Sequence, residues 1–399
     1  MEQWNIIKAY DYCYNVTDGT HDSPKQTEFG KYLITSKHIK DNRIDFESAY
    51  KISEDDYNKI ITRSKVDQWD IIISMIGAYC GFCCIESSKQ TDYAIKNVGL
   101  LKVGNELKCK WLYYYLTSPH GKQQLSKLRS GSSQPYISLG ALRNLDIPVP
   151  NENTMSDIVS VLSSLDSKIE LNRRINDNLE QQAQALFKSW FVDFEPFKDG
   201  KFVESELGMI PEGCRVGKAE DFYNINIGKT PPRKEQIWFS SNSSDYTWVS
   251  ISDLGSCGRF VFTSSEFLTH EAIKRHNIIL VPKDTILLSF KLTIGRVGIA
   301  GTELTTNEAI ARFITSDENR EYTYFLLKGY NYEKLGSTSS IATAVNSKII
   351  KAMVVLMPDK EILKAFSSLT KPYFDQILRN EQESIRLTIL RDTLLPKLM

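Results

Sequence analysis

The chain has 399 residues, 41% hydrophobic and 25% charged, with a formal net charge of zero. That length gives room for two or three domains with real cores, and the composition is ordinary for a soluble globular protein. Zero net charge does not point to a nucleic-acid partner, nor does it exclude one, because a basic face can be balanced by acidic surface elsewhere. Seven scattered cysteines give no disulfide framework and lead us to expect reduced thiols in a cytoplasmic protein.

The opening "MEQWNIIKAY" has neither a basic nor an apolar leader region, so no secretory signal is expected. Two polar blocks follow, "DGTHDSPK" from Asp18 and "LITSKHI" from Leu33. The most apolar run, "IIISMIGAYCGFCCI" from Ile71 to Ile85, is too short for a membrane span and is interrupted by Gly and Ser, so it predicts buried strands. "GSSQPYISLGALRNLDIPVP", Gly131 to Pro150, reads as a Gly-Ser turn leading to an apolar strand that ends in Pro.

Beyond Pro150 the pattern changes period. Ile158, Leu162, Leu165, Ile169, Asn172, Asn176, Leu179, Ala183, Leu186 and Trp190 alternate steps of four and three, the seam of a long helix. "FVDFEPFKDG" ends it, and the earlier blocks then recur in order. "IGKTPPRK" from Ile227 matches the first block and "WVSISDL" from Trp248 the second. "KDTILLSFKLTIG" matches the apolar run, with Asp284 opposite Asp70 and Gly295 near Gly81. "GSTSSIATAVNSKIIKAMVVLMP", Gly336 to Pro358, repeats the Gly-Ser turn and strand.

A second seam closes the chain: Ile362, Phe366, Leu369, Tyr373, Gln376, Asn380, Glu383, Leu387, Leu390 and Leu394. The shift that lays Asn176 on Asn380 lays Asn172 on Gln376. Polar residues at matched seam positions would fix register at some cost in stability. Glu383 fits a seam poorly, and Pro372 predicts a kink or the true start of this helix.

The chain therefore reads as an internal duplication, an α+β domain followed by a long helix, twice over. The expected divisions are a first domain over 1–150, a helix over 151–193, a second domain over 194–358 and a terminal helix over 359–399. Connectivity makes an antiparallel helix pair the compact solution. A helix of ~30 residues is ~45 Å long, so it would hold the two domains apart by ~34 Å or slightly more, about one turn of B-DNA.

Catalytic motifs are weak. "GKT" at Gly228–Thr230 resembles the end of a phosphate loop, but Tyr223 replaces its first Gly and Pro231 and Pro232 follow where a helix should begin. Cys80 and Cys83 have no second pair to complete a zinc site. Asp92, Glu106 and Lys108 loosely fit a metal-dependent nuclease, a spacing that arises often by chance. The expectation is a non-catalytic chain with no metal and no cofactor of its own.

Binding candidates are better. Lys122, Lys127 and Arg129 stand beside Ser132, Ser133 and Gln134; the second copy offers Lys334, Ser337, Thr338 and Ser339. Lys25, Lys37 and Arg43 lie near the early blocks of the first copy, and Arg233, Lys234, Lys291 and Arg296 near those of the second. Cations of this kind neutralise phosphates, and short hydroxyls or a Gln amide reach phosphates or base edges. For any single residue, a solvated surface charge is the simpler reading.

These motifs, with "LDSKIELNRRINDNLEQQAQALFKSWFVDFEPF" and the terminal "LRDTLLPKLM", resemble the specificity subunit of type I restriction-modification systems over essentially the whole chain. The resemblance implies two target-recognition domains separated by helices that pair as an antiparallel coiled coil. It also implies double-stranded DNA as partner, each domain reading half of a split, asymmetric site. Two methyltransferase subunits would carry S-adenosylmethionine and flip the target adenine; restriction subunits would join them, with no membrane involved. The readings left beside it are a stand-alone DNA-binding regulator, the nuclease, and a coiled-coil scaffold.

Overall fold

The computed structural model describes residues 4–40, 42–131, 134–335 and 345–399. The fold is α+β and divides into two compact units, 1–169 with 386–399, and 170–385.

In the first unit, a four-stranded antiparallel sheet runs in the order Asn15–Asp18, Val98–Lys102, Asp70–Ser74, Cys83–Ile85. The strand Asp70–Ser74 is buried along its whole length, which explains its continuous rather than alternating apolar sequence. A second sheet sets Lys31–Thr35 between Tyr50–Ile52, antiparallel, and Tyr93–Lys96, parallel. A two-stranded ladder joins Asn5–Lys8 to Asp146–Val149.

The second unit repeats this plan. Its main sheet runs Asn224–Ile227, Ile310–Ile314, Ile286–Ser289, Val297–Ala300, with Phe260–Val261 added at the edge. Tyr246–Val249 pairs parallel with Thr305–Thr306 and antiparallel with Phe267–Leu268. Cys214–Lys218 pairs with Val354–Pro358. Strand order and pairing sense thus coincide in the two units.

One detail of the expected alignment is corrected. Ser74 donates its N–H to Phe82 and accepts from Gly81; Ser289 donates to Arg296 and accepts from Gly295. With Ser74 on Ser289, Asp284 (φ 70°) lies opposite Trp69 (φ 66°), not Asp70. Two aspartates had drawn the sequence alignment one residue out of step; the shared left-handed backbone sets the true match.

The long helices span Glu152–Phe191 and Lys360–Leu398. Each begins just past a proline-ended strand and is capped by a short acceptor: Asn151 takes the N–H of Thr154 at 2.8 Å and Asp359 that of Ile362 at 2.9 Å. Within the second unit they run antiparallel: Asn172 donates to Glu383 while Asn176, one turn on, meets Asn380, one turn back. In the first unit Asp166 pairs with Arg391.

Leu162, Asn172, Asn176 and Ala183 are buried in the first seam, while Leu165, Ile169, Leu179, Leu186 and Trp190 are half-buried. The second seam differs from its expected phase. Phe366 and Asn380 are buried and Tyr373, Gln376, Leu387 and Leu394 half-buried, but Leu369 and Leu390 are each 46% exposed. The buried stripe is Phe366, Thr370, Phe374 and Ile377. Phe374 packs edge-on against Phe260, Tyr324 and Phe325 of its own domain, so this helix turns its face toward the domain as well as toward the other helix. A seam fitted to helix pairing alone misses that rotation.

Glu383, awkward in an apolar seam, accepts the Asn172 amide at 2.8 Å. Nor does Pro372 start or break the helix. It sits on the exposed side with Ser368, the residue whose carbonyl it leaves without a helical N–H, and buried Phe366 and Phe374 anchor either side.

Candidate nucleic-acid interface

In the first unit three separate stretches converge on the loop that joins Asp70–Ser74 to Cys83–Ile85. Gly77 N–H donates to Pro135 and Ile137 N–H to Met75, bringing in the segment that carries Gln134. Arg129 extends a guanidinium to the Cys80 carbonyl at 2.6 Å. From the other side, Asn42 accepts the N–H of Ile85 at 3.2 Å, and Lys40 lies 4.6 Å from the ring centroid of Tyr79. Lys37 and Arg43 flank Lys40 on the same short hairpin and its leading turn. The result is a cationic loop face interleaved with Tyr79, Phe82 and Tyr136, the last two markedly exposed.

Lys37, Arg43, Lys122, Lys127, Arg129 and Gln134 are all exposed. Lys25 is exposed too, but lies in the segment after Asn15–Asp18, outside this convergence. Ser132 and Ser133 lie outside the described residues, as do Ser337, Thr338, Ser339 and the side chain of Lys334. The sequence reading missed Lys40, Tyr79, Phe82 and Tyr136. Lys40 could have been found from its place beside Arg43; the aromatics read as core.

In the second unit the matching loop joins Ile286–Ser289 to Val297–Ala300 and carries Lys291, Leu292 and Arg296. Arg233 stacks on Phe239 and Trp248, 4.3 and 4.6 Å from their centroids, and pairs with Glu266. Burial would raise the pKa of Glu308, but the Thr230 hydroxyl and the charges of Lys291 and Arg233 outweigh it and hold the carboxyl below its ordinary range. Arg233 and Lys291 therefore share one electrostatic neighbourhood. Arg296 points elsewhere, donating to the Ile251 carbonyl at 2.7 Å, so its first duty is to the loop's own support. Lys234 is exposed beside Arg233.

The groups considered for catalysis are engaged structurally. Asp92 pairs with Lys31, and Glu106 with Lys110 one helical turn on. Cys80, Cys83 and Cys84 are buried free thiols, and burial pushes Cys83 up to about 12, where it is no nucleophile at neutral pH. Lys229 of the "GKT" stretch spends its ammonium on the His276 carbonyl at 2.5 Å. Among the described residues no helix is long and apolar enough to cross a membrane.

Two α+β units of one plan, each followed by a long helix and each presenting a loop at the same point of its main sheet with cations beside it, define a duplicated two-domain protein. The sequence profile of the type I restriction modification DNA specificity domain matches residues 2–181 and again 211–387, and the chain belongs to that family. It is 30% identical over 301 residues to the type I restriction enzyme MjaIX specificity subunit of Methanocaldococcus jannaschii, covering 73% of this chain and 68% of that one. Against the HindI specificity subunit of Haemophilus influenzae it is 26% identical, over 69% of this chain and 73% of the relative. The crystal structure of a type I restriction-modification S subunit from M. genitalium superposes with a TM-score of 0.52 at 16% identity, covering 99% and 96% of the two chains, a likeness of fold.

Proposed function

We propose that this chain is the non-catalytic, DNA-reading subunit of a type I restriction-modification complex, and that each unit reads one half of a split, asymmetric site in double-stranded DNA. The observation that carries this is the loop following Ser74 and Ser289: closed by the same serine N–H and carbonyl bonds on one scaffold, but differing in length by one residue and in side chains between the two copies. One scaffold with unlike loops is what two unlike half-sites require. Cations beside each loop neutralise phosphates and set register, while the loop side chains meet base edges. The long helices fix the number of unread base pairs between the halves.

In this reading the chemistry belongs to partners. Two methyltransferase subunits bind S-adenosylmethionine and methylate an adenine taken out of the stack, and restriction subunits join them. Affinity capture of the full chain from its host tests this: adenine methyltransferase subunits co-purify with it. Specific DNA binding by a chain that captures no methyltransferase would instead establish a stand-alone regulator.

A further inference from the structure

Leu292 is 99% exposed, the most solvent-accessible large apolar side chain described. It also holds a left-handed backbone, φ 59°, which an L-residue adopts only against steric resistance. In the first copy the third residue past the equivalent serine is Gly77, also left-handed at φ 80°, in a loop one residue longer. At Leu292 neither backbone nor core asks for a leucine.

The loop holds this side chain outward on a stiff frame. Ser289 Oγ donates to the Thr293 carbonyl at 2.6 Å and accepts the Arg296 N–H at 3.0 Å; Thr293 N–H reaches the Lys291 carbonyl at 2.6 Å. Ser289 is itself fully buried, so the frame is anchored in the sheet. Lys291 immediately precedes the leucine, and Lys291 and Arg233 both act on Glu308. An aliphatic tip beside a cation fits a polyanion that displays an apolar group, and on a DNA duplex that group is the C5-methyl of thymine in the major groove.

We propose that Leu292 reads a thymine methyl in the half-site contacted by the second unit. This rests on the DNA-reading function above and adds to it one base identity. The test uses the full chain in its complex and duplexes of its recognised site, with thymines replaced one at a time by uracil, which lacks only that methyl. At one thymine, uracil weakens wild-type binding roughly fourfold, the ~0.8 kcal/mol of one buried methyl group converted at ~1.4 kcal/mol per tenfold. Leu292→Gly and Leu292→Asn, both at ease in this backbone, bind the thymine and uracil duplexes equally there and keep the wild-type melting temperature. Wild-type binding indifferent to uracil at every thymine would overturn the assignment, as would sensitivity that persists in both variants. Wild type that binds no split site at all rejects the underlying reading, and the assignment with it.

Discussion

Asn380 donates its side-chain amide to the Asn176 oxygen at 2.8 Å, and both residues are buried where the two long helices face each other. Around this pair, Gln376 donates to Asn380 at 2.6 Å and Asn172 to Glu383 at 2.8 Å. A polar layer of this kind costs stability against an apolar core and favours the one register that satisfies it. Replacing Asn176 alone by Leu strands the Asn380 amide and costs ~1–3 kcal/mol. Replacing both by Leu restores most of that loss, so a double-mutant cycle in urea shows strong coupling. Additive single effects would mean the pair is incidental.

Arg259 ties the second domain to its helices. It pairs with Asp177 at 2.6 Å and Glu180 at 2.7 Å, while Glu381 accepts the N–H groups of Arg259 and Phe260. Glu180 is buried but Arg259 and Asp177 are only half-buried, so Arg259→Ala is expected to cost ~1.5–3 kcal/mol by denaturant unfolding, the range of hydrogen bonds to charged groups.

The same cluster predicts a pH dependence. Burial alone would raise the pKa of Glu180, but Arg259, Lys328 and Tyr324 outweigh it and hold the carboxyl below its ordinary range. A depressed carboxylate contributes stability that is present above the unfolded pKa of ~4.3 and is lost as pH falls through the folded value. Glu180→Gln is therefore less stable than wild type at neutral pH, and the difference closes as the medium is acidified below pH ~4. A pH-independent difference would remove the charge from the explanation.

Arg129 has two possible roles that salt dependence separates. As a phosphate ligand, its change to Ala lowers the slope of log affinity against log salt by about one. As a prop for the loop through the Cys80 carbonyl, the same change would leave the slope intact and disturb base discrimination. We expect the lowered slope, and Lys37→Ala to act likewise.

The duplication was legible because its blocks recur in order and because proline-ended strands and a heptad period are local signals. What was not legible is what distant contacts decide. Lys40 on its hairpin meets Tyr79 in the loop of the main sheet, and Arg129 reaches a carbonyl 49 residues away. Leu369 and Leu390 fit a pairing period, yet the helix turns Phe374 to the domain instead. Leu292 sits in an alternating apolar run that reads as buried strand, and only its left-handed backbone places it in solvent.

The central claim, that this chain gives a DNA-modifying complex its sequence specificity, meets its most direct test in the host's adenine methylome with and without the gene. The account predicts that one split, asymmetric motif loses its methylation throughout the genome when the gene is removed. An unchanged methylome, with the gene expressed in the comparison strain, would contradict it.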